Sequence, residues 1–284
     1  MKHFCHKICL VVLACFSYLS ASAYDFEADG LYFTITSLKD LTVSVDGAVN
    51  KDTDKIVIPQ TIVYKNKTLT ITRVGSEAFK SYKNLQSISF PNTMLSIGES
   101  AFEEDELLAD IVLPDSLLRI GSNAFAKCDH LKSVNIPSSV TEIKEGTFCD
   151  CRSLEKINIP SSVTEIGIVA FEDCRSLESI KIPSNVTKIG YSAFHDCKSL
   201  RAIYVYAEKV PILPYNSHAF EGCDSKKCKV YVPIGTYDAY SRSQFGYFEN
   251  IVEFDATSFR NTIATAENQD TTHYAVNDKK EHTH

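Results

Sequence analysis

Residues 131–153, LKSVNIPSSVTEIKEGTFCDCRS, form one unit of a pattern that repeats along most of the chain. Four columns share a period of 23 residues: a phenylalanine, a proline, a leucine and an isoleucine. Four independent columns with one period exclude coincidence. Five uninterrupted units begin at Leu85, and a sixth, stretched unit begins at Leu200. The phenylalanine column contains Phe79, Phe102, Phe125, Phe148, Phe171 and Phe194.

The apolar positions of one unit predict its local structure. Leu131, Val134 and Ile136 nearly alternate, as a short strand with one buried face requires. Pro137 ends this strand because proline has no N–H for the ladder. The apolar residues near the middle of the unit predict a second short extended piece. The remainder, up to the next leucine, is expected to form a helical turn that buries the phenylalanine.

A glycine column follows the isoleucine in most units. At this position we expect either a positive φ or a close approach of two backbones. The third unit departs from the pattern, because Lys144 replaces the glycine and Gly146 is the candidate for compensation. The column contains Gly98, Gly121, Gly167 and Gly190.

A unit of this length cannot form a core by itself, since chains below about 40 residues seldom do. Parallel stacking of the units at about 4.8 Å buries the apolar columns as continuous ladders. The repeat therefore predicts a solenoid, with one short parallel strand per 23-residue coil. Six such coils would extend over roughly 30 Å.

The motifs Leu-x-x-Ile-x-Ile-Pro, Ser-Val-Thr-x-Ile-Gly and Ala-Phe-x-x-Cys resemble those of BspA-like leucine-rich repeat proteins. The resemblance covers about Ile56 to Cys223, and the flanking segments resemble the caps of such proteins from Bacteroidetes-type bacteria. It implies a β-rich α/β leucine-rich repeat solenoid with β-containing caps. It also implies a secreted or surface-exposed protein used for adhesion or binding, without catalysis. Two departures from the pattern are Lys144 in the third unit and the absence of a strand-ending proline in Ile203-Tyr204-Val205-Tyr206.

The segments outside the repeats predict capping structures. We expect strands between Phe26 and Val45, and a hairpin inserted at Ile62 to Ile71. After the repeats we expect a strand at Lys229 to Pro233, a helix at Thr236 to Ser243 and a strand at Asn250 to Phe254. The predicted divisions are a signal peptide (1–23), an N-terminal cap with the hairpin and a first partial repeat (24–84), the solenoid (85–225), a C-terminal cap (226–254) and a flexible polar tail (255–284).

The first residues predict export. Lys2 and Lys7 precede an apolar run, Ile8 to Leu19, that closes on Ala21-Ser22-Ala23. The run is shorter than the about 20 residues that a membrane-spanning helix needs. We therefore expect a signal peptide cleaved after Ala23, no transmembrane segment in the mature chain, and an extracellular or cell-surface protein. The open alternatives are a periplasmic location, an uncleaved anchor, and a lipoprotein modified at Cys15.

Five cysteines recur at the same position of successive units, and the ladder that they form points thiols in parallel. A tetrahedral metal site needs converging ligands, so we expect buried thiols that pack as small apolar groups. Cys223 and Cys228 are the candidate disulfide. The column contains Cys128, Cys151, Cys174, Cys197 and Cys223.

The search for chemistry finds no catalytic, cofactor-binding or metal-binding residue. His195-Asp196-Cys197 is a suggestive string, but neighbours in sequence do not form a catalytic triad, and we expect a surface turn. No phosphate-binding loop, dinucleotide fingerprint or nucleophile-elbow motif is present. We also expect the acidic run Glu103 to Glu106 and the charged residues beside the cysteines to form solvated faces, with a cation or a basic partner on the acidic run as the alternative.

The outward side chains of the strands are the best candidates for function. Residues two and four positions after each repeat leucine point away from the core and form a polar strip that ends in tyrosines. Solenoids present such extended surfaces to partners, and tyrosine is a frequent interface anchor. The alternative role of the tyrosines is to cover the last coil. The candidate partner-binding residues are Ser133, Asn135, Lys156, Asn158, Ser179, Lys181, Tyr204 and Tyr206.

Charge narrows the class of partner. The chain has 29 basic and 36 acidic residues and a net charge of −7, which argues against nucleic acid as the main partner. A protein is the expected partner. A glycan or a scaffold role without catalysis is the alternative, and the oligomeric state is open.

Overall fold

The computed structural model describes residues 24–256, which form a parallel β-solenoid with little helix. Each coil has three sides: a first row of strands, a second row of strands and a row of turns. The predicted solenoid fold is confirmed. The predicted signal peptide and residues 257–284 of the predicted tail lie outside the described residues.

The first row contains the strand that the repeat predicts, and most of its members pair in parallel. It divides into three groups, β4 to β9, β11 to β13, and β15 to β19. Its strands are β4 (Lys55–Val57), β7 (Ser87–Ser89), β9 (Asp110–Ile111), β11 (Ser133–Asn135), β13 (Lys156–Asn158), β15 (Ser179–Ile182), β17 (Ala202–Val205), β18 (Lys229–Pro233) and β19 (Asn250–Phe254).

The second row contains the extended piece that follows the proline in each unit. It continues the sheet of the N-terminal cap, in which β3 pairs with β6 in parallel. The cap strands are β1 (Phe26–Ala28), β2 (Leu31–Ser37), β3 (Thr42–Ala48), β5 (Thr61–Tyr64) and β6 (Lys67–Val74). The row continues through β8 (Ser96–Ile97), β10 (Arg119–Ile120), β12 (Glu142–Ile143), β14 (Glu165–Ile166) and β16 (Lys188–Ile189).

The third side is a series of turns, where a helical turn was predicted. Within one coil Cys149 N donates to Gly146 O at 3.0 Å, but Phe148 N donates to Ala170 O of the next coil at 2.9 Å. Every second amide thus donates to a carbonyl of the neighbouring coil. These amides are not available for the i→i−4 hydrogen bonds of an α-helix, so no helix forms.

The phenylalanines of the turns form a continuous stack. Successive rings from Phe79 to Phe220 lie 5.3 to 5.7 Å apart, within 12° of parallel. Phe148 is fully buried, as are the repeat leucines such as Leu154. These ladders form one core through the whole solenoid, as the period predicts.

The cysteine column is buried, as expected, and each thiol also makes a hydrogen bond that the sequence did not indicate. Cys174 Sγ donates to Phe148 O at 3.2 Å, and the other members repeat this contact with the preceding coil. Cys223 continues the series by donating to Phe194 O at 3.3 Å. The predicted disulfide is therefore not formed: Cys223 and Cys228 are free thiols, because Cys223 keeps its place in the ladder.

The glycine column allows the backbones of adjacent coils to approach closely. A Cβ on Gly121 would lie 2.5 Å from Gly98 C and Glu99 N of the preceding coil, and φ is not positive there. The positive φ occurs two residues later, where Gly146 has φ +59°. Gly146 thus fulfils a separate requirement and does not compensate for Lys144.

Lys144 coincides with an interruption of both strand rows. In residues 24–256, no strand pairing and no backbone hydrogen bond joins β10 to β12, and the first row is also divided between β9 and β11. Lys144 occupies the position at which the other units have the glycine that allows this close approach. Only the turns bond across this seam, through Asn123 N to Glu145 O at 2.8 Å and Lys127 N to Cys149 O at 2.7 Å.

The caps contain the elements predicted for them. The hairpin of β5 and β6 turns at Lys65 and Asn66, both with positive φ, as a two-residue hairpin loop requires. The last strands β18 and β19 are also confirmed. The helix predicted from Thr236 to Ser243 is shorter: α1 (Tyr237–Ser241) is followed by a 3₁₀ helix, Gln244–Tyr247.

Candidate functional site

The strand face consists of the outward side chains of the first row from β11 to β18. The six non-aromatic candidates from Ser133 to Lys181 are all exposed, since the intervening residues, Val134 and Ile180 among them, face the core. This alternation follows from the two-residue period of a strand. The face contains Ser133, Asn135, Lys156, Asn158, Ser179, Lys181, Ala202, Tyr204, Lys229 and Tyr231.

Strand register brings equivalent side chains side by side. Asn135 faces Asn158, and the Asn158 Nδ2 donates to Asn135 Oδ1 at 2.9 Å. Lys181 faces Tyr204 in the next group of strands. The described strands do not pair between β13 and β15, so the face is built on two adjoining sheets. It is a polar surface with ordered side chains at its centre.

Aromatic rings close the C-terminal end of the strand face. Tyr204 stacks on Tyr231 with ring centroids 4.6 Å apart and an angle of 9° between planes. Both rings are half-buried. Tyr206, predicted as a contact residue, is only 6% exposed and its ring lies 5.5 Å from that of Phe254. Tyr206 therefore covers the last coil, which corrects its assignment to the exposed face.

The half-buried Tyr231 and the exposed Val112 are outward positions of the first row that were not among the sequence candidates. Tyr231 was missed because its unit has Lys227 at the position of the repeat leucine, from which the outward residues are numbered. Its position two residues after Lys229, in a predicted strand, could have identified it. Val112 was recognised as outward but not as a site residue, and it is 82% exposed.

The charged edge beside the cysteines is internally paired. Arg152 lies 2.9 Å from Asp150, 3.4 Å from Asp129 and 3.5 Å from Asp173. Arg175 pairs with Asp173 at 2.7 Å and is the main reason that the pKa of Asp173 lies below its ordinary value. Exposed pairs contribute little stability, about 0 to 1 kcal/mol each. The pairing agrees with a solvated face.

The acidic run is paired with lysines from neighbouring coils. Glu104 binds Lys127 at 2.9 Å, and this hydrogen bond, together with that from Ser81, lowers the pKa of Glu104 to about 2. Glu103 and Glu106 have lysine partners as well, at 2.9 and 2.8 Å. The run is therefore neutralised by the chain's own cations.

Asp105 behaves differently from its neighbours. It is fully buried and stands in the cysteine column, where its Oδ1 accepts from Tyr82 N at 2.7 Å. Burial raises its pKa to about 8.

The string His195-Asp196-Cys197 does not form a catalytic arrangement. Cys197 points into the core and donates to Phe171 O, while the His195 Nδ1 lies 3.5 Å from Glu172 Oε1 at the surface. Within residues 24–256, no group of three or more His, Cys, Asp or Glu side chains is placed to hold a metal ion. The same range contains no helix both long and apolar enough to cross a membrane.

Comparison with known proteins identifies the repeats. The BspA type leucine-rich repeat region matches in six copies, over residues 55–175 and 166–268. Comparison with curated proteins finds no significant match.

Two solved structures have similar folds. A leucine-rich cell surface protein from Faecalibacterium prausnitzii is 23% identical, with a TM-score of 0.59, over 80% of this chain and 72% of the other. The T. pallidum leucine-rich repeat protein is 29% identical, with a TM-score of 0.58, over 64% of this chain and 84% of the other. The family match covers more than half of the chain, and the chain belongs to the BspA type leucine-rich repeat family.

Proposed function

We propose that this protein is exported to the cell surface and binds a protein partner through the strand face, in adhesion to host or neighbouring-cell proteins. The main support for this proposal is the positive charge of the strand face. From β11 to β18 its outward side chains include three lysines and no acid, although the chain as a whole has a net charge of −7. An acidic surface on the partner complements it. The lysines are Lys156, Lys181 and Lys229.

The rigidity of the face supports a binding role. Its backbone is tied to the neighbouring coils, and the Asn158 to Asn135 bond orders two side chains before any partner arrives. A partner that binds an ordered surface loses less conformational entropy. The family supports an interaction module, and the predicted signal peptide supports export.

A cell-binding assay tests the strand face. Purified protein is added to cultured epithelial cells and detected by flow cytometry. The double variant Lys156→Glu, Lys181→Glu should weaken binding by at least about tenfold, because each change reverses a charge that faces the partner. The control Lys209→Glu, Lys226→Glu changes two exposed lysines that lie outside the strands of the face, and it should bind as the parent does. Equal binding by both double variants would exclude the strand face.

The class of partner is tested on the same cells. Protease treatment of the cells should abolish binding, and glycosidase treatment should leave it. The stacked pair Tyr204 and Tyr231 favours a second candidate, a glycan-binding module. Loss of binding after glycosidase treatment alone would favour that candidate.

Location is tested by protease shaving of intact producing cells followed by mass spectrometry. Release of peptides from residues 85–225 is the expected result. Protection of those peptides until the envelope is broken would indicate a periplasmic scaffold and exclude adhesion.

A further inference from the structure

The outer surface of the second strand row carries an open groove with a volume of about 400 Å³. The closely stacked backbones of Gly75, Gly98 and Gly121 form part of its lining. Asp46 lies at one end, with its carboxylate over Gly75, and Lys144 lies at the other. We call this groove the glycine trough. Its volume falls within the roughly 300 to 1,000 Å³ typical of small-molecule sites.

Cationic side chains line one wall of the glycine trough. Strand register places Arg73 and Arg119 on either side of Ser96, so their backbones lie about 10 Å apart. The Arg73 Nε donates to Ser96 Oγ at 3.2 Å. Arg119 and Lys144 form no ion pair within residues 24–256. This differs from Arg152 and Arg175, which are held by aspartates on the charged edge.

Hydroxyl groups and a carboxylate complete the lining. Ser76, Ser96 and Ser122 offer hydroxyls that donate or accept hydrogen bonds. At one end, Ser44 Oγ donates to Asp46 Oδ1 at 2.8 Å, and the Asp46 Oδ2, which has no hydrogen-bond partner among the described residues, is shielded from solvent. The serine hydroxyls are therefore the neutral polar groups that the glycine trough offers to a ligand.

We propose that the glycine trough binds an acidic saccharide. Its carboxylates would pair with Arg119 and Lys144, and its ring hydroxyls would bond to the serines. A neutral sugar would leave the two cations without a counter-charge. An acidic peptide without hydroxyls would pair with the cations but would offer the serines only its backbone groups. This site lies on a different strand row from the strand face and does not depend on the proposed protein partner.

Calorimetric titration of the purified protein tests the ligand class. The acidic probes are a hyaluronan tetrasaccharide, tetragalacturonate and sialyllactose. Cellotetraose is a neutral saccharide and shows whether hydroxyls alone suffice for binding. Tetraglutamate is an acidic peptide without hydroxyls and shows whether negative charge alone suffices. At least one acidic probe should bind at least about tenfold more tightly than both of these, since hydrogen bonds between charged groups are stronger than those between neutral groups.

Variants assign the binding to the trough. Arg119→Gln should weaken binding of the acidic probe by at least about tenfold, and Ser96→Glu, which adds a carboxylate between the two arginines, should abolish it. The matched control is Arg242→Gln, which changes the exposed arginine at the C-cap of α1 and should bind as the parent does. Circular dichroism checks that each variant is folded.

Three results would overturn the proposal: no binding of any acidic saccharide, equal binding of tetraglutamate, or unchanged affinity in folded Arg119→Gln. The second of these would assign the trough to acidic peptides. None of them bears on the cell-binding assay with the lysine variants of the strand face.

Discussion

The carboxyl of Asp105 accepts a hydrogen bond from the backbone N–H of Tyr82 at 2.7 Å, at the core position that Cys128 occupies one coil later. One oxygen of a buried carboxyl is thus satisfied by the backbone of the preceding coil. The other, Oδ2, is buried with no hydrogen-bond partner among the described residues. Burial therefore favours the protonated form of this carboxyl at neutral pH.

Asp105 should make stability fall as the pH rises. Its pKa is raised from 3.8 to about 8 on folding, so the folded state keeps a proton that the unfolded state has released. The free energy of unfolding should decrease between these two values by up to about 1.4 kcal/mol per pH unit. The Asp105→Asn variant should lose this slope, because the amide cannot ionise. Urea unfolding at several pH values measures it.

The control for this experiment is Glu106→Gln. Glu106 is exposed and pairs with Lys83, which lowers its pKa. Its removal should leave the alkaline side of the profile unchanged. A parent profile that matches that of Asp105→Asn would show that Asp105 is ionised in the folded state.

The thiols should be reduced and unreactive in the folded protein. Burial raises the pKa of Cys149, Cys223 and Cys228 to about 12 each, so the reactive thiolate is scarce near neutral pH. Ellman's reagent, without reductant, should find no fast-reacting thiol in folded protein that lacks residues 1–23. After unfolding it should find seven. A count of five would mean that Cys223 and Cys228 are paired.

The seam at Lys144 should be visible in amide hydrogen exchange. The amides of Thr141 and Lys144 have no backbone acceptor across the seam, whereas Gly121 N donates to Ile97 O at 2.9 Å and Thr164 N to Thr141 O at 2.9 Å. Thr141 and Lys144 should therefore exchange faster than Gly121 and Thr164. NMR exchange rates measure the difference.

Replacing Lys144 by glycine should slow exchange at these two amides, because the close approach of the backbones then becomes possible. Lys127→Gly, a lysine-to-glycine change on the turn side, is the control and should leave Thr141 unaffected. Equal exchange at Thr141 in the parent and in Lys144→Gly would mean that the side chain does not cause the interruption.

Gly121→Ala should destabilise the protein by about 1 to 3 kcal/mol or more, because the new methyl would meet the backbone of Gly98 at 2.5 Å. Gly235→Ala is a graded control. No atom lies within 4 Å of its Cβ position, but its φ is +86°, so only a conformational cost of about 1 to 2 kcal/mol is expected. Denaturant unfolding compares the two, and equal losses would argue against a steric role of the column.

The repeat alone predicted the solenoid, its first strand and the buried columns, because each unit must bury the same side chains against its neighbours. The residue patterns of the flanking segments predicted the hairpin and the last strands. It also predicted the exposed side of residues such as Asn135 and Lys156, since a strand alternates with a period of two. These features depend on local geometry and stacking, which the sequence period specifies.

Other features depended on which atoms of adjacent coils meet. The thiol of Cys223 stays in the ladder instead of pairing with Cys228, and the ring of Tyr206 packs beside Phe254. Two strand rows are interrupted beside the unit in which Lys144 replaces the column glycine. Residues far apart in sequence, from Asp46 to Lys144, line one trough. Such contacts are set by the spacing and register of stacked coils, which one unit of sequence does not contain.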